Sequence, residues 1–215
     1  MFVPYVTSVS TWIDETAKHT PELVCVPLFG TKENNLLKLK NSEADLFVIA
    51  YPSAVAMLSI KDPKRPKKWT IDPKQVREVF SGFDMLVLDE IHRCKKQDTL
   101  TYRMCRAISA QAEYAVGLTG TPFGRDLMDL WPQFNLIDFG ETLGPTLSFY
   151  RAVFFKQSFN YWGGLEYTFK PKLFADLKRI IKNKSIRYSI DELHDMPPRE
   201  YVIKRIAPHS GIQGY

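Results

Sequence analysis

The stretch FDMLVLDEIHRC, residues 83–94, runs five apolar positions nearly in succession and then sets Asp89, Glu90 and His92 within four residues. Two carboxylates buried without partners are costly, so a bound cation or exposure at a cleft is the expected compensation. Adjacent acids closing an apolar strand also meet the needs of nucleotide hydrolysis. One acid holds Mg²⁺, often through water, and the other orients or activates the attacking water. Two acids at a strand end are often only solvated turn residues, so the motif gains its weight from a second one, GLTGTPFG, residues 117–124. There Thr119 and Thr121 supply hydroxyls, Gly120 allows close backbone approach and Pro122 stops the strand. That motif follows the next apolar run, so its hydroxyls are expected beside the carboxylates on a neighbouring strand end.

The scaffold that holds these groups is legible as alternating elements. Residues 2–6, 22–30, 44–51, 84–90 and 114–120 are short runs rich in apolar residues, which read as strands buried on both faces, as in a parallel sheet. Between them, 12–19, 53–60 and 73–80, the last opened by Pro73, have helical spacing. Leu100, Met104 and Ile108 lay one apolar stripe on a further helix, with Arg103 and Arg106 turned elsewhere. Strand and helix in alternation imply an α/β fold with a mainly parallel sheet and right-handed crossovers. In such a sheet ligands bind beyond the carboxyl ends of the strands, where Asp89 and Glu90 sit. After Pro122 the texture changes. Residues 125–140 read as a helix and turn, 148–164 as an aromatic-rich segment whose rings are mostly core, and 172–184 as a helix with Leu173, Phe174, Leu177, Ile180 and Ile181 on one side. This part is expected to be an appendage packed on the sheet.

Composition bounds the function classes. A chain of 215 residues, 45% hydrophobic and 25% charged, can bury a full core, which argues against disorder. The net charge is +5, and residues 61–77 hold seven Lys or Arg against two Asp, a stretch that reads either as a solvated loop or as a phosphate contact. Cys25, Cys94 and Cys105 are odd in number and form no C-x-x-C pair, which points to reduced thiols, and the spacing of His92, Cys94 and Cys105 fits no usual zinc pattern. No apolar run reaches membrane-spanning length and the start lacks a secretory pattern, so an intracellular protein without a membrane partner is expected. An unrelated hydrolase lacks support, since no G-x-S-x-G elbow occurs and His19, His194 and His209 stand apart from any nucleophile motif.

Taken together these strings resemble the first RecA-like lobe of superfamily-two helicases and translocases, and above all the Swi/Snf family of ATP-driven DNA translocases. LVLDEIHRCKK is similar to that family's magnesium and water-activating motif with its trailing basic residues, and GLTGTPFGRDLMDLWPQFNLID to its coupling motif and the helix after it. VPYVTSVSTW resembles the P-x-S-x-x-x-x-W segment that touches the DNA backbone, with Trp12 one residue further from Pro4 than usual. ELVCVPLFG is similar to the next strand, and ADLFVIAYPSAVAML to the strand that ends in Thr-Tyr, here Ala50-Tyr51. Residues 185–215 resemble the close of the lobe, with Met196 and Arg199 in place of the usual Leu and Lys. The resemblance implies a RecA-like fold of the P-loop NTPase type, truncated at its N-terminal side, with a core over 1–139 and a helical and aromatic appendage over 140–215. It implies that Asp89 holds Mg²⁺ through water, that Glu90 is the catalytic base, and that His92 links the nucleotide site to Thr119, Gly120 and Thr121. Thr7, Ser8 and Tyr51 are placed on the nucleic-acid path, with Lys95 and Lys96 near it.

One element of such a machine is missing. A phosphate loop ends in Gly-Lys-Ser/Thr, whose N–H groups and lysine hold the β- and γ-phosphates, yet none of the eleven glycines is followed by lysine. The sequence begins at the strand expected to follow that loop and stops where a second RecA-like lobe is expected. The primary expectation is therefore part of an ATP- and Mg²⁺-dependent machine on double-stranded DNA, whose complementary phosphate-loop segment and second lobe come from elsewhere. The alternative is a catalytically inactive lobe that binds nucleic acid or protein.

Overall fold

The computed structural model describes residues 1–122 and 126–188. The tail of the second motif at 123–125 and the closing segment with Met196 and Arg199 lie outside the described residues. The chain runs β1 (Phe2–Val3), α1 (Val6–His19), β2 (Cys25–Pro27), α2 (Lys32–Asn41), β3 (Leu46–Ala50), α3 (Tyr51–Leu58), β4 (Ser59–Asp62), β5 (Arg65–Ile71), α4 (Pro73–Val79), β6 (Met85–Asp89), α5 (Leu100–Ser109) and β7 (Tyr114–Leu118). It continues with α6 (Leu130–Asp138), α7 (Leu147–Phe154), β8 (Phe155–Phe159), β9 (Leu165–Phe169) and α8 (Phe174–Lys182).

Five strands form one parallel sheet in the order β2-β3-β1-β6-β7. The chain goes from β1 to the edge at β2, returns to β3 between them, and then crosses over β1 to β6 and β7, so the connections leaving the neighbours β1 and β6 run in opposite directions. That reversal opens a crevice beyond the strand ends. Alternation along the strands sends Val3, Val48 and Ala50 to the face covered by α1 through Val9, Trp12 and Ile13. Phe2, Phe47, Ile49, Leu86 and Leu88 go to the other face, against Ala54 and Met57 of α3 and Met104, Cys105 and Ile108 of α5. The stripe of Leu100, Met104 and Ile108 is thus the core side of α5 as expected.

Several expectations are corrected. The helix after β1 starts at Val6, not Trp12, so the first run is a strand for only two residues. Residues 32–41, polar enough to hide their period, form α2, capped by the Thr31 hydroxyl accepting from the Asn34 N–H. The basic stretch at 61–68 is not a loop but part of an antiparallel hairpin of β4 and β5. β6 and β7 are not covered on both faces either. On the α1 side, Met85 is 52% and Tyr114 55% exposed, and Val116 and Leu118 are each 36% exposed, so this apolar patch and the outer edge of β7 are open among the described residues.

The appendage packs around a second cluster, with Leu130, Trp131, Phe134, Tyr150, Phe154, Phe155 and Leu177 at its centre. It contains a hairpin, β8 with β9, as well as helices. Tyr150, Phe154, Phe155 and Phe169 are packed against one another, but Phe159, Tyr161 and Trp162 stand exposed at the hairpin end, so the aromatics of 148–164 divide between core and surface. α6 joins the two clusters. It is apolar or hydrogen-bonded nearly all round, as a helix buried on every side must be. Asn135 Oδ1 accepts from the Tyr102 hydroxyl at 2.8 Å and Arg106 Nε at 3.2 Å, and the Ser109 hydroxyl donates to the Leu136 carbonyl. Among the described residues no helix is long and apolar enough to cross a membrane.

Candidate active site

β6 and β7 pair in register from Met85 with Tyr114 to Asp89 with Leu118, so Glu90 and Thr119 leave the sheet side by side. Glu90 takes a left-handed backbone conformation, φ 51° and ψ 53°, and opens a single 3₁₀ turn over Ile91–Cys94. For a residue with a Cβ this conformation costs roughly 1–2 kcal/mol and persists only where the surroundings impose it. What imposes it is the packing beneath. Ile91 and Cys94 are buried, and Ile91 lies over Gly117 so closely that a Cβ there would stand 2.5 Å from the Ile91 Cδ1. The turn folds back and places three side chains together. The Thr119 hydroxyl donates to Glu90 Oε2 at 3.2 Å, and His92 Nδ1 lies 3.1 Å from Glu90 Oε2 and 3.1 Å from Thr119 Oγ1. The Thr121 N–H donates to the same Thr119 oxygen at 3.1 Å. One hydroxyl proton serves one acceptor, so with Thr119 donating to Glu90 the tautomer of His92 that satisfies the group carries its proton on Nδ1.

Asp89 ends β6, half-buried, and is held at two atoms. The Trp12 indole of α1 donates to Oδ2 at 3.1 Å, and the Tyr51 hydroxyl donates to the Asp89 carbonyl at 3.0 Å. Among the described residues Oδ1 has no hydrogen-bond partner. Burial pushes the Tyr51 hydroxyl far above the usual phenol range, so it stays a donor. The donor set available to a cation is one carboxylate with no protein cage around it: no group of three or more His, Cys, Asp or Glu placed to hold a metal exists among the described residues. A hard oxygen ligand completed by waters suits Mg²⁺, which dehydrates reluctantly and is commonly held through one or two carboxylates and phosphate.

Of the residues singled out in the sequence, Asp89, Glu90, His92 and Thr119 come together. Thr121 joins through its backbone N–H only. A Cβ added at Gly120 would meet nothing within 4 Å among the described residues, whereas one at Gly117 would stand against Ile91. Thr7 is exposed and Ser8 half-buried, both in the first turn of α1. Tyr51 is 3% exposed and stacked on Phe2, which removes it from any nucleic-acid surface and makes it a support of the Asp89 strand end. Lys95 is paired with Asp129 Oδ2 at 3.3 Å, while Lys96 is exposed. The Cys94 and Cys105 sulfurs touch at 3.8 Å in the core, away from His92's ring contacts. Sequence reasoning missed the role of Trp12 toward Asp89, and Gln133 of α6, whose amide donates to the Pro122 and Asp129 carbonyls and so pins the second motif. Only the tryptophan had a signal, its place in a segment already singled out.

The family model described as SNF2-related domain matches residues 2–211. A protein of Acyrthosiphon pisum secondary endosymbiont phage 1, p41, is 28% identical over 85% of this chain and 37% of its own length. The DNA excision repair proteins ERCC-6-like of Danio rerio and Mus musculus are each 26% identical over 66% of this chain, which spans 9% and 10% of them. The chain therefore covers well under half the length of these relatives. Among solved structures, the Sulfolobus solfataricus SWI2/SNF2 ATPase core in complex with dsDNA aligns with a TM-score of 0.52 at 18% identity, over 71% of this chain and 27% of that one. That likeness establishes a shared RecA-like fold.

Proposed function

The chain belongs to the SNF2-related domain family, and from that premise we propose that it is part of an ATP-dependent, Swi/Snf-like translocase of double-stranded DNA. In this reading residues 1–139 form the core of the first lobe and 140–215 its appendage. The observation that carries the proposal is the meeting of Glu90, His92 and Thr119 at the ends of two adjacent parallel strands, with Asp89 one residue away. Asp89, through its free Oδ1 and intervening water, is the residue to hold Mg²⁺, which when bound with ATP neutralises phosphate charge. Glu90, oriented by the Thr119 hydroxyl and the His92 ring, accepts the proton of the attacking water. Thr119 and Thr121 then connect the state of Glu90 to the loop that Gln133 holds. Thr7, Ser8 and Lys96 present exposed or half-exposed groups near the same strand ends for a phosphate backbone.

The phosphate-holding half of the site must be supplied by another segment, since no glycine in the chain precedes a lysine. The open side of β7 supports this reading. Parallel sheets are covered on both faces, whereas Tyr114, Val116 and Leu118 are not, and the strand ends at Leu118, directly before Thr119. A further strand, followed by a loop ending in Gly-Lys-Ser/Thr and the helix it opens, would complete the sheet there. Without those contacts several charge-assisted hydrogen bonds of about 1.5–3 kcal/mol each are lost, so the chain alone binds ATP weakly. The test is ATP hydrolysis by the chain alone and after addition of a phosphate-loop segment and second lobe: negligible in the first case and duplex-stimulated in the second. A complete assembly that hydrolyses nothing overturns the proposal and favours the inactive binding lobe, the reading that the missing lysine loop supports.

A further inference from the structure

The hairpin of β4 and β5 takes no part in the site above, yet its net charge is nearly that of the whole chain. Over 59–71 it carries Lys61, Lys64, Arg65, Lys67 and Lys68 against a single acid, Asp62, a net +4 where the whole chain is +5. The one acid is already engaged. Asp62 is buried, and its carboxylate accepts from the Lys64 N–H and from Arg65 Nε, both at 2.9 Å. Those two bonds hold its carboxyl below the usual carboxylate range, the backbone contact contributing most. Lys64, Lys67 and Lys68 enter no ion pair among the described residues.

The charge is displayed on a fixed shape. Ile71 anchors the hairpin in the core and β5 lies against α5, while residues 63–69 are exposed. Lys61 and Trp69 face each other across the strands, the ammonium 4.1 Å from the ring centre. A row of cations fixed on a two-stranded ribbon repels itself unless an anion meets it. Trp69 is its one exposed large apolar side chain, which leaves no apolar face to enter a lipid surface. A duplex fits better, because its major groove, about 12 Å wide, admits a two-stranded ribbon and its edges are lined with phosphates.

We infer that this hairpin is a second nucleic-acid contact, in which Lys64, Lys67 and Lys68 meet the phosphates of a duplex. The inference rests on the proposed DNA-dependent function and adds a surface to it. The test is the salt dependence of binding to a fluorescent DNA duplex by the whole chain and by its Lys64→Gln/Lys67→Gln/Lys68→Gln variant, with the triple Lys→Arg variant as control. Each lysine that meets a phosphate contributes about 0.9 to the slope of log affinity against log salt, so the glutamine variant is expected to lose up to about 2.7 and the arginine variant nothing. The single Lys64→Gln change, at the exposed turn, is expected to lose about 0.9 and serves should the triple variant fold poorly. Duplex binding with a slope untouched by either glutamine variant overturns the hairpin's role and leaves the proposed function standing. A chain that binds polyglutamate but no duplex at any salt overturns both.

Discussion

Gly117→Ala tests how the turn carrying Glu90 and His92 is held. Gly117 has no left-handed backbone, so by itself an alanine there is compatible with the strand and would stabilise the protein by about 0.4–1 kcal/mol through the unfolded chain. The neighbour decides otherwise. The new Cβ would lie 2.5 Å from Ile91 Cδ1, 3.1 Å from its Cγ2 and 3.2 Å from its Cβ, against the 3.5–4.0 Å or so of ordinary carbon contact. Overpacking of that kind costs roughly 1–3 kcal/mol, which outweighs the gain and leaves a net loss of about 1 kcal/mol or somewhat more. At roughly 2–4 °C per kcal/mol for a chain of this size, the melting temperature falls by several degrees. Ile91→Val removes the Cδ1 behind the shortest contact and alone costs about 0.5–1.5 kcal/mol. The double variant should therefore be more stable than the sum of the two single effects by about 1 kcal/mol, read from thermal or urea unfolding of all four proteins. Additive effects, or a stabilising Gly117→Ala, would show that Ile91 does not set the turn and refute the reasoning.

Two further outcomes follow from the same geometry. Thr119→Val keeps the shape and removes the hydroxyl between Glu90 and His92; because both partners are more than a third exposed, it should cost less than about 1 kcal/mol of stability but abolish duplex stimulation of ATP hydrolysis in the complete assembly, and an unchanged ratio of rates with and without duplex contradicts the linking role. Asp62, whose carboxyl is held below its ordinary value of 3.8 by the bonds from Lys64 and Arg65, stabilises the hairpin turn above that pH and ceases to as pH falls through its lowered value; the Lys64 amide followed by NMR should titrate with a midpoint below 3.8, and a midpoint at or above it removes the carboxylate from the turn.

What was legible in the sequence was local. An apolar run ending in Asp89 and Glu90 declares its own strand and strand end, and a helix and one strand later Thr119 must fall beside it because parallel crossovers leave little choice. The stripe on α5 was equally plain. What stayed hidden depended on long separations or on exposed elements. The Trp12 indole reaches Asp89 across 77 positions, and nothing local marks Gln133 as the clamp on Pro122. β5 lacks the alternation of a half-buried strand because its face toward solvent and its tip are lysine and proline, so the hairpin read as a loop. Tyr51 was assigned to a nucleic-acid surface by resemblance, and its burial follows only from Phe2 and the β6 strand end closing over it. Gly120 drew attention as part of a turn, whereas the glycine under steric demand is Gly117, in the strand before it.

The central claim is that the carboxylates closing β6 manage a metal-bound triphosphate. Its most direct test is duplex-stimulated ATP hydrolysis by the complete assembly carrying Glu90→Gln. Loss of the positioned base should lower the rate by roughly 10²–10⁴-fold while ATP binding persists. An assembly that hydrolyses ATP at the unaltered rate with glutamine at position 90 would contradict it.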